Sequence, residues 1–223
     1  MFLGLQWVKF DDLQSCVYTL YSELFIIIQT SMKLTIENIN VSIFDPQKNS
    51  IYTSKLITHL DEWTILFFYP ADFSVICPTE LQGIQKSKEE LEGYGARILV
   101  ISRDSHYTHQ QWVESNSKLK DFSVEMVSDR DAEIGKELCI YLVNKETKNF
   151  ERISIIVDRM WNVLSFDFSP EKIWRNIEEL VRKIKAMRHI LDNPDSLCPE
   201  HRTQGTSALK DTIQPGKNTM FSS

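Results

Sequence analysis

Cys77 stands where a predicted strand gives way to a predicted helix, in the segment FFYPADFSVICPTELQ at residues 67–82. Pro70 ends the apolar run because proline cannot donate a ladder hydrogen bond. Pro78 is tolerated in a first helical turn, where its missing amide hydrogen is not needed. Free amides and the helix dipole at such a terminus favour a thiolate over a thiol. The pattern indicates a nucleophilic cysteine, although a buried and inert thiol fits the same position.

The other cysteines decide which thiol chemistry is open to Cys77. The four cysteines are far apart and form no CxxC pair, which disfavours a zinc site and a disulfide-dense secreted scaffold and favours a reducing compartment. A dithiol oxidoreductase would carry its second cysteine at position 80, where Glu80 stands. A partner thiol must therefore come from elsewhere. Cys198 is the natural candidate, with an unpaired surface thiol as the alternative, while Cys16 and Cys139 are interpreted as inert.

Short apolar runs between turn signals predict five strands, and longer periodic segments predict three helices. The predicted strands are residues 64–69, 97–102, 123–127, 153–158 and 162–166, and the first two helices are residues 78–94 and 108–118. For the third helix, Ser169 is the predicted cap and Pro170 the first residue, and an apolar stripe from Ile173 to Ile190 indicates core packing. This order predicts an α/β sandwich around a mixed sheet.

Length and charge predict one globular domain with extensions. The 223 residues carry a formal net charge of −6, which gives no support to a nucleic-acid or membrane role. Residues 1–31 are a predicted N-terminal extension of unknown role, because Met32 opens what looks like the start of a domain. The apolar stretch within this extension is too short to span a bilayer. Residues 32–190 are the predicted domain, and residues 191–223 a polar C-terminal tail. His106 and His109 stand three residues apart at a predicted helix start, but no metal site is expected there.

Four segments resemble the typical two-cysteine peroxiredoxins, most closely the alkyl hydroperoxide reductase C component. They are the Cys77 segment, LVISRDSHYTHQQW, RISIIVD and LVRKIKAMRHILDNPDSLCPE, which together extend over roughly residues 33–200. The specific features are a proline, then a hydroxyl residue three positions before a Cys-Pro, and a second Cys-Pro near the C-terminus. The resemblance implies a thioredoxin-like sandwich, in which helices flank a central mixed β-sheet, followed by the tail.

The same resemblance implies reduction of hydrogen peroxide and alkyl hydroperoxides. Cys77 matches the peroxidatic cysteine, which a peroxide oxidises to a sulfenic acid. Cys198 matches the resolving cysteine, which then forms a disulfide with it from the neighbouring subunit of an antiparallel homodimer. A thioredoxin-like or flavin-linked disulfide reductase would restore both thiols. The resemblance implies no metal or organic cofactor, a cytoplasmic location, and a homodimer or a decamer built from dimers.

The resemblance also assigns residues around the reacting sulfur. Pro70 matches the proline that shields it, and Ser74 and Arg152 match the groups that donate hydrogen bonds to the peroxide. Glu80 matches a residue that helps to hold arginines in place. Without the resemblance, Arg152 would be interpreted as a solvated charge at a strand edge.

Two alternatives to a peroxidase remain open at this stage. One is a peroxide sensor that passes oxidation to a client protein, and the other is a chaperone-like ring assembly with weak turnover. Neither fold nor motif separates these from the enzyme. The chain also lacks the Gly-Gly-Leu-Gly loop and the terminal Tyr-Phe pair of the family's sensitive members, which implies a peroxidase that resists overoxidation.

Overall fold

The structure, a computed structural model, describes residues 39–56, 63–138, 147–198 and 209–210. The predicted N-terminal extension lies outside these residues, as do Cys16 and Cys139. No helix within the described ranges is both long and apolar enough to cross a membrane.

The described residues contain one seven-stranded mixed sheet with the order β2-β1-β5-β4-β3-β6-β7. Its strands are β1 (Asn40–Asp45), β2 (Ser50–Lys55), β3 (Trp63–Phe68), β4 (Ala96–Ser102), β5 (Glu125–Ser128), β6 (Arg152–Asp158) and β7 (Val163–Ser169). The β3–β4 and β4–β5 pairs are parallel and the other neighbours are antiparallel. All five predicted strands are present and the mixed sheet is confirmed, whereas β1 and β2 were not predicted.

The helices and a second, small sheet complete the described part of the chain. The helices are α1 (Cys77–Gly93), α2 (His106–Ser115), α3 (Glu133–Glu137) and α4 (Ile177–Asp192), with a 3-10 turn at Ser117–Leu119. In the predicted tail, β8 (Ser196–Leu197) pairs antiparallel with β9 (Leu209–Lys210). Ser105 caps α2 by accepting a hydrogen bond from the Thr108 amide, so α2 begins two residues before the predicted helix.

The central strand β3 sets the position of the Cys77 region. All six of its side chains are buried, because apolar clusters cover both faces of the sheet at this point. The cluster on one face includes Cys77 and the apolar faces of α1 and α4. Strand β6 runs antiparallel beside β3, with Phe68 opposite Ile153. The chain that follows β3 therefore emerges next to Arg152, the first residue of β6.

The prediction for the start of the third helix is wrong. Helix α4 begins at Ile177, and Asn176 caps it by accepting from the Glu178 amide. Ser169 instead ends β7, and Pro170 opens a turn that is closed by a hydrogen bond from the Ile173 amide. The local sequence favours a helix start at Ser169, but the Arg175 amide donates to the Glu80 carboxylate at 2.7 Å. A helix that began at Pro170 would use that amide for its own backbone hydrogen bonds.

The predicted apolar stripe of this helix is consequently shorter than expected. Ile173 and Trp174 precede α4 and are 56% and 70% exposed. The buried positions of α4 are Ile177, Leu180, Val181 and Ile184. Core packing thus begins only at the first residue of the observed helix.

The contact between α1 and α4 can be tested at Gly83. A Cβ atom at this position would lie 2.9 Å from Cγ1 of Ile177. We expect Gly83→Ala to lower the free energy of unfolding by about 1 kcal/mol, because overpacking costs about 1–3 kcal/mol and helix propensity returns only about 0.5–1 kcal/mol. The matched control in urea denaturation is Gly93→Ala, whose added Cβ meets nothing within 4 Å. Equal stability of the two variants would contradict this packing.

Candidate active site

Cys77 is the first residue of α1, and its side chain is a fully buried free thiol. Ile76 precedes it and cannot cap the helix, because its side chain is apolar. Pro78 lies within the first turn, as the sequence predicts. Cys77 therefore lies at the positive end of the α1 dipole, and no side chain at the preceding residue caps the helix.

Arg152 lies directly against this sulfur. Its Nη1 is 3.4 Å from Cys77 Sγ and also donates to Glu80 Oε2 at 2.6 Å, while its Nε donates to the Glu171 carbonyl at 2.7 Å. Only 2% of Arg152 is exposed. The interpretation of this residue as a solvated charge is therefore wrong, and the predicted grouping of Cys77, Arg152 and Glu80 is present.

A second arginine, Arg175, completes the cluster and was missed by sequence reasoning. Its amide and Nε donate to Glu80 Oε1 at 2.7 and 3.2 Å, and its Nη2 donates to Oε2 at 3.1 Å. Its Nη1 donates to the carbonyl of Ile153, and its Cζ lies 3.3 Å above the Phe67 ring. The only local signal was a charge within the segment predicted to carry the apolar stripe.

The electrostatics of the cluster follow from one buried carboxylate, Glu80, that lies between the buried guanidinium groups of Arg152 and Arg175. Burial on its own lowers the Arg152 pKa, but attraction to Cys77 and Glu80 outweighs that effect and raises this pKa above its ordinary value. Burial lowers the Arg175 pKa, and Glu80 offsets it only in part. Arginine nevertheless stays protonated in proteins. With Glu80 ionised the three groups carry a net charge of +1, which an ionised Cys77 would neutralise.

Pro70 and Ser74 belong to the loop between β3 and α1. Pro70 is buried and is the second residue after β3. It follows Tyr69, whose amide still pairs with the Ile101 carbonyl. Ser74 is half-buried, and its Oγ is shielded from solvent but makes no hydrogen bond to any described residue. A buried hydroxyl without a partner is costly. Ser74 therefore has a free donor and acceptor three residues before Cys77.

The structure does not join Cys198 to Cys77. Cys198 is half-buried, and its Sγ lies 3.9 Å from the Ala186 carbonyl of α4. Ala186 lines an apolar groove of about 800 Å³ together with Trp63 and Asp158. These two residues pair at the end of β3 and β6 remote from Cys77, and five residues of strand span roughly 17 Å. The two cysteines thus lie near opposite ends of these strands.

The two histidines on α2 have protein partners. His109 is fully buried and its Nδ1 is 2.7 Å from Asp72 Oδ2, while His106 Nδ1 is 2.7 Å from the Ser42 hydroxyl. Burial, and to a lesser extent the electrostatic influence of His109, lower the pKa of His106. Asp72 is the acidic partner that sequence proximity did not suggest, because it lies in the loop after β3.

The family model described as the AhpC/TSA family matches residues 37–164. Alkyl hydroperoxide reductase C of Staphylococcus aureus is 31% identical over 176 residues, which cover 78% of this chain and 88% of that protein. The protein of the same name from Amphibacillus xylanus is 31% identical over 152 residues, which cover 68% and 80%. The crystal structure of Enterococcus faecalis AhpC superposes with a TM-score of 0.66 at 28% identity and covers 72% of this chain and 94% of that one.

Glu80 is the group whose removal should disturb this cluster most. We expect Glu80→Gln to lower the free energy of unfolding by about 3–5 kcal/mol, because it leaves two buried guanidinium groups without their counter-charge. The matched control is Glu179→Gln, which breaks an exposed pair with Arg182 and should cost less than about 1 kcal/mol. Chemical denaturation measures both variants. Similar losses in the two would contradict the assignment of Glu80 as the central anion.

Proposed function

Because the chain belongs to the AhpC/TSA family, we propose that it is a thiol-dependent peroxidase that reduces hydrogen peroxide and alkyl hydroperoxides. The observation that carries this proposal is the 3.4 Å contact between Cys77 Sγ and Arg152 Nη1 in a buried pocket. In this proposal residues 32–190 form the peroxidase domain, and the tail at residues 191–223 supplies Cys198.

The first step is nucleophilic attack by the Cys77 thiolate on one oxygen of the peroxide. A sulfur lone pair forms the S–O bond as the O–O bond breaks, and the second oxygen leaves with the electron pair of that bond. Cys77 is oxidised to the sulfenic acid and the peroxide is reduced. The leaving oxygen takes a proton from solvent and departs as water or an alcohol.

Arg152 and Ser74 stabilise the charge that develops in this step. Negative charge moves from sulfur to the leaving oxygen as the O–O bond lengthens, so a fixed guanidinium beside Cys77 binds the transition state better than the ground state. The unpartnered Oγ of Ser74 supports its role as a second donor. Pro70, buried at the end of β3, shields the reacting sulfur from solvent.

The charge of the cluster favours the same reaction. Glu80 leaves the two arginines with a net charge of +1, so an ionised sulfur is the species that neutralises the pocket. Glu80 also fixes the guanidinium plane of Arg152 through a 2.6 Å hydrogen bond. We assign Glu80 and Arg175 to the support of Arg152, without direct contact to the peroxide.

The second step is disulfide formation between Cys77 and Cys198 of a neighbouring subunit. The placement of the two cysteines near opposite ends of β3 supports an intersubunit bond. Strand β7 is the outermost strand on its side of the described sheet. It exposes three apolar side chains on one face, namely Leu164, Phe166 and Phe168. A strand of this kind favours pairing with a second copy, which supports a homodimer or a decamer built from dimers.

A conformational change and a reductant complete the cycle. Cys77 is fully buried, so the first turn of α1 must unwind before the two sulfurs reach the bonding distance of about 2 Å. A thioredoxin-like protein or a flavin-linked disulfide reductase then attacks the disulfide and restores both thiols.

The paired-thiol scheme is tested by non-reducing gels after addition of peroxide. We expect a dimer-sized band in the unaltered protein, and its loss in Cys77→Ser and in Cys198→Ser. Cys16→Ser and Cys139→Ser are the matched controls and should retain the band. Cys198→Ser should still reduce one peroxide per chain, because sulfenic acid formation needs only Cys77. Peroxide reduction by Cys77→Ser would overturn the scheme, as would a dimer-sized band in Cys198→Ser. Slow reduction of the oxidised protein by a thioredoxin system would favour a peroxide sensor.

The role of Arg152 is tested by its removal. We expect Arg152→Ala to lower the second-order rate constant for peroxide reduction by about 10²–10³, the loss typical of one preorganised donor. The matched control is Arg97→Ala, which removes a guanidinium that pairs with Glu125 on β5 and should leave the rate constant unchanged. Stopped-flow measurement of Cys77 oxidation gives both values. A near-normal rate in Arg152→Ala would exclude this role.

A further inference from the structure

A buried hydrogen-bond cluster holds the loop that precedes Cys77, and the mechanism above does not use it. The Asp72 carboxylate accepts from the Tyr69 hydroxyl through Oδ1 at 2.6 Å, and its Oδ2 lies 2.7 Å from His109 Nδ1 on α2. The side chains of Asp72 and His109 are both fully buried, as is Tyr69. The loop is thereby tied to a helix that starts 29 residues after Cys77 in the sequence.

The backbone of Asp72 is anchored as well. Its amide donates to Asp104 Oδ2 at 2.8 Å, and the same carboxylate oxygen accepts from the Ser102 hydroxyl at 3.0 Å. The Asp104 carbonyl in turn accepts from the Ser128 hydroxyl at the end of β5. Asp72 is therefore fixed at its amide and at both carboxylate oxygens.

This anchor stands immediately before a strained residue. Phe73 has φ of +54°, a left-handed conformation that is unusual for a bulky side chain. Its ring packs against Trp112, with centroids 6.3 Å apart, yet 58% of Phe73 is exposed, so burial of Phe73 does not explain the conformation. Such strain, of order 1–3 kcal/mol, persists only where the surroundings over-determine it. Asp72 supplies that constraint, and Ser74 is the next residue after the strained one.

We propose that Asp72 and His109 are positioning residues for the peroxidase reaction, which together with Tyr69 hold Phe73 in its left-handed conformation and so direct the Ser74 hydroxyl to the peroxide beside Cys77. This inference rests on the proposed function. Asp72 and His109 do not touch the reacting atoms; they act through Ser74. In this conformation of the loop, Ser74 Oγ has no hydrogen-bond partner, so it is available to donate to the peroxide.

The contacts of the Asp72 carboxylate with Tyr69 and His109 fit a structural constraint on the loop. Burial raises the pKa of Asp72, and the hydrogen bond and charge of His109 oppose that rise. The pKa of Tyr69 is raised by its burial and by Asp72, and its hydroxyl donates a hydrogen bond to the Asp72 carboxylate. A neutral amide at position 72 weakens this charge-assisted anchor with little change of volume.

The test is a double-mutant cycle between Asp72→Asn and Ser74→Ala, with peroxide oxidation of Cys77 as the readout. We expect Asp72→Asn to lower the second-order rate constant by about 10- to 100-fold, the loss typical of a misplaced catalytic group. Alkylation of Cys77 by iodoacetamide, which does not use the peroxide donors, should be largely unchanged. The double variant should react as Ser74→Ala does, because without the hydroxyl its position no longer matters.

The controls separate this role from general destabilisation. Asp129→Asn removes another buried carboxylate, which accepts from the amides of Ile134 and Gly135 at the start of α3; it should leave the peroxide rate unchanged. If Asp72→Asn fails to fold, Tyr69→Phe removes a single hydroxyl from the same carboxylate and is expected to show a smaller loss of the same kind.

Several outcomes would overturn the inference: losses that add in the double variant, an equal loss in alkylation, an equal loss in Asp129→Asn, or an unchanged peroxide rate in the Asp72 or Tyr69 variant. Failure of the proposed function is distinguishable, because the unaltered protein would then not be oxidised at Cys77 by peroxide at all.

Discussion

The pairing of one buried carboxylate with two buried guanidinium groups is the constraint on which the rest of the site depends. Glu80 accepts hydrogen bonds from both Arg152 and Arg175. A charged group can remain buried only when it is paired and its hydrogen bonds are made. The excess of one positive charge is then concentrated beside the sulfur of Cys77, where the proposed reaction needs it.

The sheet brings these groups together from three separate parts of the chain. Cys77 and Glu80 share the first turn of α1, which follows β3, and Arg152 begins β6, the antiparallel neighbour of β3. Arg175 comes from the segment between β7 and α4, and its Nη1 donates to the carbonyl of Ile153 at the start of β6. Cys77 and the three charged groups therefore lie together at one end of the paired strands β3 and β6.

Those features that depend on neighbouring residues were predictable from the sequence. The apolar run ending at Pro70 and the Cys-Pro pair located the end of β3 and the start of α1, both of which are confirmed. The two unpredicted strands, β1 and β2, lie at one side of the sheet, and several of their side chains are polar and partly exposed. Strand β2 has no buried residue and so carries little of the apolar signal on which the other five were predicted. Strand β1 buries Val41, Ile43 and Phe44, an apolar signal that the sequence analysis missed.

The features that failed depend on contacts between distant residues. Ser169 and Pro170 form a sound local signal for a helix start, yet the Arg175 amide is used by Glu80 and the helix begins at Ile177. The burial of Arg152 could not be predicted from local sequence either. A guanidinium can be buried only when it is paired with a counter-charge, which here comes from a distant part of the chain. The placement of a cysteine at a helix terminus can therefore be predicted from the neighbouring residues in the sequence. The charges that assist it become visible only in the folded chain, unless a family resemblance points to them.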